Sequence, residues 1–125
     1  MNLVISLVLL IWLGASGCTV KRGFERGYTD ADRASNEQLL KLQLAMMRES
    51  IQRFTVEQGK PPQSFDELLY THYLTVLPVD PMTNKSDWVL VYHDCSRSAD
   101  CKNGIKDVHS ASAERSSIGT TYLTW

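Results

Sequence analysis

The chain has 125 residues, a formal net charge of −1 and three cysteines. A balance this close to neutral argues against a nucleic-acid partner, and the lack of a basic block removes any electrostatic draw to an anionic membrane surface. The length supports one small domain and excludes two.

Residues 3–13 run without a charge into Ala15-Ser16-Gly17-Cys18. A membrane span needs about 20 apolar residues. This shorter stretch, closed by small residues and a cysteine, therefore reads as a signal peptide over 1–17 that ends in a lipid-attachment box. Cys18 is the expected site of lipidation; an uncleaved anchor and a core helix are the competing readings. The expected location is the bacterial cell envelope, facing the periplasm and held to a membrane by lipid. Thr19 follows the cysteine in place of Asp, which by the sorting rule of enteric bacteria favours the outer membrane over the inner.

Residues 18–38 form the lipidated cysteine and a polar segment. Between 21 and 38 four basic and four acidic side chains are interspersed, with two glycines at the front. Too little apolar area is present to order such a segment, so it is expected to be a tether that lifts a domain off the bilayer. The globular domain is expected over 39–125.

From residue 39 to 58 the apolar spacing is helical. Leu40, Leu44, Met47, Ile51 and Phe54 fall on one stripe, while Lys41, Arg48, Glu49 and Arg53 face elsewhere. Gly59 ends this helix and Pro61-Pro62 prevents its resumption. Ser64-Phe65-Asp66-Glu67 is a capping box that starts a short helix reaching to about Tyr73. Residues 77–81, Leu-Pro-Val-Asp-Pro, predict an extended connection, because each proline biases its predecessor away from helix. Three strand-like runs follow over 88–92, 104–109 and 120–125, rich in β-branched and aromatic residues. Short loops favour an antiparallel meander, and the fold class expected is α+β.

Cys95 and Cys101 remain as an even pair in an oxidising compartment and are expected to form a disulfide. The competing reading joins them with His93 and His109 as a zinc site. Ser110 beside His109, with Asp80, Asp87 and Asp107, are the nearest catalytic candidates. No nucleophile elbow, phosphate-cradling loop or metal-binding helix motif accompanies them, and neighbours on a strand point to opposite faces. No catalytic residue, no cofactor and no metal ligand is therefore assigned, and the chain is not expected to be an enzyme. Trp88 and Trp125 read as core aromatics.

The order of a helix, EQGKPPQSFDELL, YLTVLPVDPMTNKSDWVLVY, GIKDVHSAS and a terminal GTTYLTW resembles the periplasmic domain of type II secretion major pseudopilins and their type IV pilin relatives. The most specific parts are residues 77–81 with Trp88, and Asp107-Val108-His109-Ser110 with Trp125. The resemblance implies a long N-terminal helix and a short helix on a three-stranded antiparallel sheet, in a protein that works by protein–protein contact within a secretion or pilus-like apparatus. Pseudopilins or secretin components are the implied partners. A stand-alone periplasmic structural or binding lipoprotein of the same fold is the alternative. Two departures stand out. The hydrophobic helix through which pseudopilins polymerise is replaced by the lipoprotein signal and tether, and Lys21-Arg22-Gly23-Phe24 matches a prepilin cleavage site only by chance, since Tyr28 stands where pilins carry glutamate. The calcium loop of major pseudopilins also has a poor counterpart. Residues 111–119 offer only Glu114 as a carboxylate, with Asp107 and Ser110 before it, whereas calcium takes six to eight oxygens.

Overall fold

The computed structural model describes residues 29–125, so the signal segment, Cys18 and the tether up to residue 28 lie outside the described residues. The first helix, α1, spans Asp30–Gln58. Its start corrects the expected tether, of which the part from Asp30 onward is helical. Thr29 accepts a hydrogen bond from the Asp32 amide at 3.1 Å, and the Asp32 carboxylate accepts from the Thr29 amide at 3.0 Å, a reciprocal cap. Asp30 and Asp32 also place negative charge against the positive end of the helix dipole. At the other end Gly59 takes the left-handed conformation at φ 66°, as the sequence predicts.

The second helix, α2, spans Phe65–Tyr70 and is shorter than expected. His72 turns left-handed at φ 61°, and the Leu74 amide bonds back to Leu68. Ser64 caps the helix by accepting from the Glu67 amide. The Glu67 carboxylate, however, accepts from the amide of Gln63 and not of Ser64.

Strands β1 (Val89–Tyr92) and β2 (Ile105–His109) pair antiparallel, each within a residue of the predicted run. Val91 opposes Asp107 and Tyr92 opposes Ile105, so Lys106 is the extra residue of a β-bulge. The expected third strand is corrected. Thr121 makes only an isolated bridge to Arg115, and Tyr122–Thr124 is a 3-10 helix. The chain turns there because the Tyr122 amide is drawn to the Glu114 carbonyl, which buries the tyrosine ring against α1 instead of extending it along β2. The architecture is thus α+β, a long and a short helix packed against a two-stranded antiparallel sheet.

The α1 stripe Leu40, Leu44, Met47, Ile51 and Phe54 forms one wall of the core, with Leu68, Leu74, Trp88, Ile105, Val108 and Tyr122 opposite. Trp88 keeps its indole N–H satisfied by donating to the Pro78 carbonyl at 2.9 Å. Gly104 marks a close approach of the backbone to Pro61. Its φ is +151°, and a Cβ there would lie 2.7 Å from the Pro61 ring. Cys95 and Cys101 are joined by a disulfide, with Cα atoms 5.2 Å apart.

Candidate interaction site

The two edges of the sheet are treated differently. In an antiparallel pair, residues alternate between those whose backbone groups face the partner strand and those whose groups face away. Val108 faces away from β1. Its N–H donates to Asp107 Oδ1 at 2.8 Å, and its carbonyl accepts from Arg48 Nη2 at 2.9 Å. The Ile105 amide, also outward, donates to the Pro62 carbonyl at 2.7 Å. The outer edge of β2 is therefore stopped by Arg48, Asp107 and Pro62.

Arg48 is the central piece of this stop. It reaches from α1 to Asp107 Oδ1 at 2.6 Å, and its Nη2 also donates to the main-chain oxygen of Trp125 at 2.7 Å. His109 Nδ1 pairs with the same Trp125 oxygen, and His109 Nε2 stands 3.6 Å from Asp107 Oδ2. Burial pushes the Asp107 carboxyl upward. The Val108 amide, the Arg48 bond and charge, and the nearby His109 outweigh it, so the group is held below the usual carboxylate range. An open groove of about 690 Å³ lies beside this cluster between α1 and β2, with His93 and Lys106 on its walls. Arg48 is already committed to three acceptors and is not free to seize a ligand there.

The outer edge of β1 is the opposite case. Leu90 opposes Val108, and Tyr92 opposes Ile105, so the backbone groups of both point away from β2. Neither residue has a hydrogen-bond partner beyond the sheet among the described residues. Val89 and Tyr92 are exposed on this strand. The result is a short strand edge with unpaired donors and acceptors and an aromatic side chain, which is a template for one further strand.

The residues singled out as catalytic candidates fall into separate groupings, Ser110 with Asp80 and His109 beside Asp107. Ser110 is buried and donates to Asp80 Oδ2 at 2.6 Å, while Asp80 Oδ1 accepts from the Met82 amide at 2.8 Å. His109 points instead toward Trp125. Asp87 is an exposed partner of Thr83. The thiols of the zinc reading are consumed by the disulfide. Of the residues weighed for calcium, Asp107 is bonded to Arg48 and Ser110 to Asp80, while the Glu114 side chain is exposed. Among the described residues, no group of three His, Cys, Asp or Glu stands close enough to hold a metal ion.

Glu37 is the residue that sequence reading missed. It is buried, and its carboxylate accepts from the Ser117 amide and hydroxyl, both at 2.6 Å, and from the Tyr122 hydroxyl at 2.8 Å. Burial raises this carboxyl, yet the bonds from Ser117 and Tyr122 and the charge of Lys41 prevail and hold it below its ordinary value. These bonds dock the 111–119 loop on α1. Thr29 followed three residues later by Asp32 was the legible signal that the helix extends this far.

Comparison of the chain with protein-family models, with curated proteins and with solved structures finds no match. The reading of function thus rests on the residues.

Proposed function

We propose that the chain is a lipid-anchored envelope protein with a pilin-like domain, which works by protein–protein contact in a type II secretion or pilus-like apparatus. The observation that supports this reading is the asymmetry of the sheet, one edge stopped by Arg48 and Asp107 and the other open at Leu90 and Tyr92. Recognition by strand addition needs an edge whose outward backbone groups are unpaired, as they are along β1. The occupant proposed for the β1 edge is an extended strand of a pseudopilin or secretin component. Without the polymerising helix of a pseudopilin, the chain acts as an accessory contact and builds no filament by itself.

The test is crosslinking in cells from position 89, the other exposed side chain of β1, with the product identified by mass spectrometry. A pseudopilin or secretin subunit is expected, and Tyr92→Pro should abolish its recovery. That substitution removes an N–H facing away from β2, so the β1–β2 ladder survives. Tyr92→Val, which keeps the N–H, controls for loss of the ring. Recovery of no envelope-machine component, together with normal secretion and piliation in a deletion strain, would sink this reading and leave a stand-alone periplasmic lipoprotein.

A further inference from the structure

Helix α1 carries a second face that the domain leaves uncovered. Met46, Glu49, Arg53 and Val56 recur at steps of three, four and three, on the side away from the Leu40-to-Phe54 stripe. All four are exposed, Met46 by 42% and Val56 by 76%. Leu42, one turn earlier on this side, is 68% exposed. The Glu49 side chain has no ion pair or hydrogen bond among the described residues, and the Arg53 guanidinium lies 5.6 Å over the Tyr73 ring without a carboxylate partner.

The pattern is self-complementary. Glu49 and Arg53 are equidistant from position 51, and so are Met46 and Val56. When two copies of α1 lie antiparallel about a two-fold axis at that position, Glu49 of each meets Arg53 of the other, and Met46 of each meets Val56 of the other. Every contact then occurs twice, as an isologous interface requires. Parallel alignment in register would instead set Glu49 against Glu49 and Arg53 against Arg53. The charges therefore select one orientation as well as one register.

We infer that this face of α1 binds a second copy of the chain as an antiparallel helix pair centred on position 51. The contact is carried by few residues and lies at the weak end of protein interfaces. It is independent of the β1 edge, which lies elsewhere on the domain, so either surface stands if the other fails.

The test uses the full chain with Met46→Cys and Val56→Cys together, under mild oxidation in membranes. Along one helix the two positions are about 15 Å apart, too far for a bridge within a chain. A disulfide-linked dimer above the wild-type level is expected for the pair, and wild-type levels for either cysteine alone. Adding Glu49→Arg should cut the yield at least about fivefold, and adding Arg53→Glu to that variant should restore it. Raising the salt to about 1 M should lower the yield of the native-charge pair, because exposed charges are then screened within about 3 Å. The inference is overturned by no dimer from the cysteine pair, by an equal dimer from Met46→Cys alone, or by a yield indifferent to both charge reversal and salt.

Discussion

Glu37, near the start of the long helix, and Tyr122, 85 residues later, share a buried hydrogen bond of 2.8 Å. The same carboxylate takes two bonds from Ser117, so one acidic side chain fixes the loop after β2 and the 3-10 helix against α1. Glu37→Ala would leave the buried Tyr122 hydroxyl and the Ser117 amide without this acceptor. The expected loss is about 3 kcal/mol, against about 1 kcal/mol for Glu37→Gln, which keeps an acceptor oxygen. Urea unfolding with an unchanged slope checks the order.

Acid sensitivity follows from Glu37 and Asp107 together. Both are held below their ordinary values of 4.5 and 3.8 by hydrogen bonds present only in the folded chain. A carboxyl with a depressed folded pKa contributes its full stability above the unfolded value and loses it as the pH falls through the folded value. Unfolding free energy should therefore be level near neutrality and decline as the solution is acidified below about pH 4.5. Glu37→Gln with Asp107→Asn should flatten that decline; an equally steep decline in the double variant would place its cause in other groups.

Gly104→Ala should destabilise by roughly 2–4 kcal/mol, because the backbone is left-handed and the new methyl meets Pro61. Gly59→Ala, at φ +66° with open space around it, should lose only about 1 kcal/mol. Thermal melts of the two variants compare them directly.

The Cys95–Cys101 bridge closes a short loop, with a sequence separation of 6. Alkylation under denaturing, non-reducing conditions should leave both cysteines unmodified. Replacing both by serine should lower stability by about 2 kcal/mol or less, since short loops gain least from closure.

The proposed anchor at Cys18 gives a measurable mass. The membrane-extracted protein should begin at Cys18 and carry a diacylglycerol on its sulfur; a mature protein that retains Met1 would remove the lipid anchor from the account.

Those parts of the fold that depend on periodicity were legible in the residues. The Leu40-to-Phe54 stripe, the stop at Gly59 and the two strands follow from local spacing and residue type, and they stand where the sequence puts them. Residues 30–38 were not, because their polar composition carries no apolar stripe. Their order comes from the Thr29 cap and from Glu37, whose partners lie at the far end of the chain. The last segment misled for a related reason. Thr120, Thr121 and Tyr122 have strand propensity, but the buried acceptor at Glu37 and the Glu114 carbonyl turn Tyr122 inward. Of the candidate site, the strand β1 was visible, whereas Arg48 looked like any solvent-facing cation until Val108, Asp107 and Trp125 came beneath it.

With Arg48 seated across Val108, the sheet is extendable on one side only. Under the proposed edge pairing, each molecule would accept one incoming strand, at β1. Two copies joined at their β1 edges would present only β2 edges, both stopped by Arg48 and Asp107, so the folded protein should not lengthen such a pair into a continuous sheet for as long as that guanidinium holds its place.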